Sequence, residues 1–218
     1  MFLQGFDRLP LRLFLLLALL IGPATGFSQE GAVPTANPEG ISYGFLIDNS
    51  GSFRRLLEDV IQFVEKVIDE HRPADEAFFV RFVGPDKIKL DQEFTSTRSE
   101  IMDSAEAMYI EAGQTALVDA VRSAGVYFAE NARPSGVRSI VLVTDGDERS
   151  SISKPDEAIK ILKDARIRVF AVAVSDEKVQ TKFLERLTRE TSGKLFVLKS
   201  KGELRSIAGE VAAAIRKP

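Results

Sequence analysis

Oxygen is the chemistry this chain has to offer. It has no Cys and a single His, His71. Disulfides, thiol nucleophiles, iron–sulfur clusters, Cys-based zinc sites and multi-His metal sites are therefore excluded. Three short segments concentrate what remains. Asp48-Asn49-Ser50-Gly51-Ser52 sets one carboxylate and two hydroxyls around a glycine that lets the backbone bend. Gly113-Gln114-Thr115-Ala116-Leu117 supplies a hydroxyl, and Thr144-Asp145-Gly146-Asp147-Glu148 a second group of acids. Asp48, Ser50, Ser52, Thr115 and Asp145 give five oxygen-bearing side chains. With water they can complete a six-coordinate shell around a hard cation such as Mg²⁺, Mn²⁺ or Ca²⁺. Singly, each segment has a plainer explanation: Ser52 and Thr115 would cap helices, and Asp145-Gly146 would make a turn.

The elements that must bring these residues together follow from hydrophobic pattern. Residues 41–48 read as a strand and 53–70 as a helix, with Leu56, Val60, Phe63, Val64 and Val67 at helical spacing. Residues 78–83 form an apolar strand. Residues 87–95 alternate, with Ile88, Leu90 and Phe94 against Lys87, Lys89, Asp91 and Glu93, as expected of a half-exposed edge strand. Helices follow at 98–108 and 115–130, then the apolar strand 139–144 and a helix at 155–165 opening on Pro155. A strand at 168–175, a helix at 178–190, a short strand at 194–198 and a closing helix at 201–216 complete the order. Alternating strands and helices predict an α/β, doubly wound, mostly parallel six-stranded sheet with helices on both faces, Rossmann-like in plan. In such sheets ligands sit beyond the carboxyl ends of the strands, where the strand order reverses. Two of the oxygen-bearing segments end strands and the third, with Thr115, opens a helix, and all three are expected at that edge of the sheet.

The N-terminus reads as an address. Arg8 and Arg12 precede the apolar run Leu13–Ile21, and small residues at Gly22–Gly26 and Ser28 follow, so residues 1–28 are expected to be a signal peptide. Cleavage after Gly26 and after Ser28 fit alike. The run is about half of the roughly 20 residues needed to span a bilayer, and no later stretch is long enough. Residues 29–40 read as a linker and 41–218 as one domain. The 218-residue chain carries a net charge of −3, and removing two Arg and one Asp with the signal makes it about −4. That mild acidity argues against a nucleic-acid or anionic-membrane surface. An exported protein, periplasmic or secreted, is expected.

Taken in order, Asp48-x-Ser50-x-Ser52, Thr115 and Asp145-Gly146 resemble the metal-ion-dependent adhesion site of the von Willebrand factor type A (VWA) domain. The resemblance runs over 41–218, and Gly113–Ala120 is most similar to bacterial exported members, including those described from acidobacteria. It implies an edge strand antiparallel to the second strand. It also implies one Mg²⁺ or Mn²⁺, touched directly by Ser50, Ser52 and, in the binding-competent form, Thr115, with Asp48 and Asp145 acting largely through water. Neutral hydroxyl ligands would leave the cation under-neutralised and receptive to an acidic residue of a protein partner. Closer approach of the aspartates would weaken that grip, which gives a basis for switching. Phe53, Arg54 and Arg55 stand where related sites carry acids for a second metal, so no second site is expected there. This sequence has no Cys to form the pair of some members, and neither an accessory domain nor a C-terminal anchor is expected.

Other residues allow two readings. Asp119 either orients Thr115 or caps locally. Asp147, Glu148 and Arg149 either rim the site or form a solvated loop. Arg54 and Arg55 either steer an acidic partner or are helix surface, and His71 is expected to cap a helix end. The expected function is a metal-dependent protein-binding module of adhesion type, with no catalytic residues. The alternative is a Mg²⁺-dependent hydrolase, phosphatase-like, on a similar sheet. Ser50 stands where many such phosphatases need a second acid, and no loop lysine is evident beside the site. A third possibility is an oxygen cluster with a purely structural role.

Overall fold

The computed structural model describes residues 40–134, 136–175 and 178–217. The expected signal peptide and nearly all of the expected linker lie outside the described residues. Six strands, β1 (Ser42–Asp48), β2 (Glu76–Phe82), β3 (Ile88–Thr95), β4 (Arg138–Thr144), β5 (Arg168–Ala173) and β6 (Lys194–Val197), form one sheet in the order β3-β2-β1-β4-β5-β6. Five are parallel, and only β3 runs antiparallel, beside β2. The fold class expected from the sequence is the one observed, edge strand included.

Six helices cover the sheet: α1 (Leu57–Ile68), α2 (Arg98–Glu106), α3 (Leu117–Asn131), α4 (Pro155–Asp164), α5 (Lys182–Glu190) and α6 (Glu203–Arg216). Side chains alternate across a strand, so each central strand feeds two cores. Tyr43, Phe45 and Ile47 of β1 pack with α1 and α6, while Leu46 packs with α3 and α4. Val141 and Val143 of β4 join the first core, Ile140 and Leu142 the second. The chain leaves β1 through α1 on one face and enters β4 from α3 on the other. Winding therefore reverses between the adjacent strands β1 and β4, and a crevice opens beyond their carboxyl ends.

The departures from the expected elements fall mostly at that crevice. The helix expected from Phe53 begins as a 3-10 turn at Gly51–Arg55, and α1 follows from Leu57. Phe53 is the cause: its side chain is fully buried, and its N–H donates to the Ser50 carbonyl at 3.0 Å, tightening the turn. α3 begins at Leu117, which leaves Thr115 in the preceding loop. α5 begins at Lys182, because the backbone ahead of it is drawn over the sheet end, where Gln180 N–H donates to the Asp145 carbonyl at 2.8 Å. His71 N–H donates to the Ile68 carbonyl at the end of α1 at 3.0 Å, but its side chain does not cap the helix. Its buried ring lies 2.8 Å from the Tyr43 hydroxyl and 3.2 Å from the Ser96 carbonyl, tying β1 to the turn before α2.

Candidate metal centre

Asp48 ends β1 and Thr144 ends β4, one step past the paired residues Ile47 and Val143. One Asp48 oxygen accepts the Thr144 hydroxyl at 2.9 Å; the other accepts the Ser50 N–H at 3.0 Å. The Thr144 hydroxyl in turn accepts the Gly146 N–H at 3.0 Å. This chain fixes the start of both oxygen-bearing turns in one network. Asp145 then accepts the Asp147 N–H at 2.9 Å on Oδ1.

Ser50, Ser52, Thr115 and Asp145 line one open cleft of about 810 Å³, and Asp48 lies buried behind Ser50. The five residues named from sequence are thus gathered at one sheet end. The capping explanation for two of them fails. The residue before α3 is Ala116 and the one before α1 is Leu56, and neither helix start receives a side-chain cap from its own N-cap residue. Ser52 sits inside the 3-10 turn with its hydroxyl 3.1 Å from that of Ser50. No protein group bonds the Thr115 hydroxyl among the described residues.

Thr115 is carried by a loop pinned on both sides. Asn49 donates through Nδ2 to the Tyr109 carbonyl at 2.9 Å, and its own carbonyl accepts the Glu111 N–H at 2.9 Å. Arg81 of β2 bonds Asp91 and Glu111 at 2.7 and 3.2 Å and lies over the Tyr109 ring. Ala116 N–H donates to the Val83 carbonyl at 2.7 Å. From the other side the loop after Asp145 clasps the start of α3. Glu148 accepts the Val118 N–H at 2.8 Å, Asp119 accepts the Ile152 and Ser153 N–H groups at 2.8 Å, and the Thr115 carbonyl accepts from Arg149 and Ser150. Glu148 is thus neither rim nor solvated loop but a remote cap for α3. Asp119 neither orients the Thr115 hydroxyl nor caps its own helix; it anchors the neighbouring loop. Sequence reasoning missed Asn49 and Thr144 as positioning residues, and Glu148 as a brace, because each acts on a segment distant in sequence.

The glycines divide in the same way. Gly146 has φ +80°, and an added Cβ would stand 1.9 Å from the Gln180 carbonyl oxygen, so only glycine fits. Gly51, expected to permit the bend, has no positive φ, and a Cβ there would meet open space.

Electrostatically the two ends of the sheet are opposites. At the amino ends, Asp75 pairs with Arg216 at 2.5 Å and Glu76 with Arg133 at 2.7 Å. At the carboxyl ends, Asp145 lines the crevice and Asp48 lies buried behind it, with no Lys or Arg bonded to either among the described residues. Burial pushes the Asp48 carboxyl up to about 7; hydrogen bonds from Ser50 and Thr144 pull the other way, and the Asp145 charge adds to the rise. Such a pair is relieved by a cation. The donor set suits a small, hard one. Adjacent ligands of an octahedral ion with bonds of about 2.1 Å lie roughly 3 Å apart, close to the 3.1 Å between the Ser50 and Ser52 hydroxyl oxygens. Among the described residues no three His, Cys, Asp or Glu side chains form a cage. Two carboxylates with three hydroxyls would therefore leave coordination positions to water or to a ligand.

A mostly parallel sheet with an antiparallel edge strand, helices on both faces and this oxygen cluster at its switch point defines a doubly wound α/β domain. The family model for the von Willebrand factor type A domain matches residues 44–210, and the chain belongs to that family. Solved structures agree on the fold. An aerotolerance-related membrane protein from Bacteroides fragilis is 18% identical with a TM-score of 0.67, over 82% of this chain and 100% of that one. A von Willebrand factor type A protein from Catenulispora acidiphila is 16% identical, TM-score 0.69, over 82% and 43%. Proximal thread matrix protein 1 from the mussel byssus is 17% identical, TM-score 0.69, over 82% and 47%. A comparison with curated proteins returned no match. Domains of this family are commonly protein-interaction modules. No helix among the described residues is long and apolar enough to cross a membrane.

Proposed function

We propose that Asp48, Ser50, Ser52, Thr115 and Asp145 hold one Mg²⁺ or Mn²⁺, and that the chain is an exported binding module that grips an acidic residue of a protein partner. The observation that carries this reading is the convergence of three separate segments, two of them carrying carboxylates without a basic partner, on one cleft at the switch point. When bound, the cation supplies an electrophilic position for a partner carboxylate. The protein's own residues do the rest. Asp48, buried and bonded through both oxygens, orients the Ser50 turn and lends charge without offering itself to solvent. The hydroxyls of Ser50, Ser52 and Thr115 face the cleft as neutral donors, so the site keeps a net appetite for an anion. The same burial of Asp48 speaks against the phosphatase-like alternative, which needs that carboxylate presented to substrate with an acid two residues on, where Ser50 stands. We infer a module without catalytic activity, kept in the periplasm or secreted.

The test is capture on the immobilised protein in Mg²⁺. The reading expects a protein partner released by EDTA, not retained by Asp145→Ala, and lost when one acidic residue of its bound segment is replaced. Retention unaffected by EDTA would refute it, and Mg²⁺-dependent hydrolysis of a phosphate ester abolished by Asp48→Asn would favour the enzyme.

A further inference from the structure

We propose that the partner segment is an acidic stretch instead of a lone acid: one carboxylate for the cation, and others for a basic rim. The inference rests on the metal-dependent reading above. Arg54, Arg55, Arg149 and Lys178 line the same cleft as Ser50, Ser52, Thr115 and Asp145. Arg54 and Arg55 close the 3-10 turn that carries Ser52, and both are exposed. Neither guanidinium has a protein partner among the described residues; only the Arg55 carbonyl is engaged, by Lys201 Nζ at 3.1 Å. That sets them apart from Arg81, Arg98, Arg133 and Arg216, each held by a carboxylate. Arg149 is partly compensated by Asp147 at 2.5 Å, and Asp147 also accepts from Gln180 at 2.8 Å.

Spacing decides what kind of anion the rim fits. Arg54 and Arg55 follow β1, and Lys178 follows β5, with β4 between those strands. Two interstrand steps of about 4.8 Å set the strands that lead into these walls roughly 10 Å apart, a span that an extended peptide covers in about three residues. A single carboxylate on a central cation has one charge to share between two basic walls. A chain with acids about three residues apart reaches both, and the rim would also speed its approach by steering. At the mouth of an acidic centre, guanidinium groups without a protein partner are available to flanking carboxylates, and such contacts set specificity.

The experiment uses two synthetic decapeptides of Gly and Ser, one with a central Glu, the other with further Glu residues about three positions to either side. Binding to the protein is followed by fluorescence anisotropy in Mg²⁺. The proposal expects the second peptide to bind about tenfold tighter. The Arg54→Gln/Arg55→Gln double variant should erase that ratio, and both complexes should vanish in EDTA. Equal binding of the two peptides, or a ratio that survives in the double variant, overturns the rim and leaves the metal reading standing. Tight binding of the multiply acidic peptide that persists in EDTA yet needs Arg54 and Arg55 sustains the rim and overturns the metal reading. Absence of binding by either peptide overturns the proposal.

Discussion

Thr144 and Gly146 set the site's geometry without being ligands in any reading of it. Thr144→Val strands one Asp48 oxygen and the Gly146 N–H. It is expected to cost about 1–3 kcal/mol, checked by urea denaturation of the metal-free protein. The two turn glycines should part company under the same assay. Gly146→Ala forces a side chain to φ +80° and against the Gln180 carbonyl, with an expected loss of about 2 kcal/mol or more. Gly51→Ala meets open space and is expected to be neutral or to stabilise by about 0.5 kcal/mol. The residues that meet at the cleft could be named from the sequence: Asp48, Ser50, Ser52 and Asp145 because carboxylates and hydroxyls on a strand-end turn are a local pattern, and Thr115 because it opens a helical one. What Gly51 and His71 do was not. Each depends on what stands opposite: nothing at Gly51, and Tyr43 with Ser96 at His71.

At the scale of elements, the site is three loops held in register by backbone groups. The loop after β4 and the start of α3 exchange hydrogen bonds through Glu148 and Asp119, so Thr115 and the Asp145 turn form one unit. Glu148→Gln weakens a charged cap on the Val118 N–H. The expected result is a loss of about 0.5–2 kcal/mol together with weaker Mg²⁺ binding, measured by denaturation and titration of the same variant. An unchanged Mg²⁺ affinity would show that the brace does not position Thr115. Strand and helix order could be read from periodicity because β1, β2, β4 and β5 bury both faces, β3 alternates, and each helix buries one stripe. The loop partners could not, since Asn49 with Tyr109 and Glu148 with Val118 are matched only once the sheet has brought distant segments together. Helix starts were misplaced for the same reason: α1, α3 and α5 all begin late because the residues ahead of them serve the crevice.

Across the whole molecule, the sheet separates stability from function. Its amino end is closed by the ion pairs Asp75–Arg216 and Glu76–Arg133. Burial alone would raise the Asp75 carboxyl, but Arg216 and the N–H groups of Ile41 and Arg72 outweigh it and hold it below the usual range. A depressed folded-state pKa stabilises above the unfolded value of 3.8 and is lost as pH falls through the folded one. Asp75→Asn should therefore cost about 3 kcal/mol near neutrality, with the gap from wild type closing only in acid below about pH 4, as chemical denaturation against pH would reveal. The carboxyl end keeps Asp48 and Asp145 without a basic partner among the described residues, and the account stands on the reason for that. Isothermal titration of the protein with Mg²⁺ and with Mn²⁺ tests it most directly. The account predicts one binding site for either ion, lost in an Asp145→Ala variant that still unfolds cooperatively. No binding, two strong sites, or undiminished binding in that variant would contradict it.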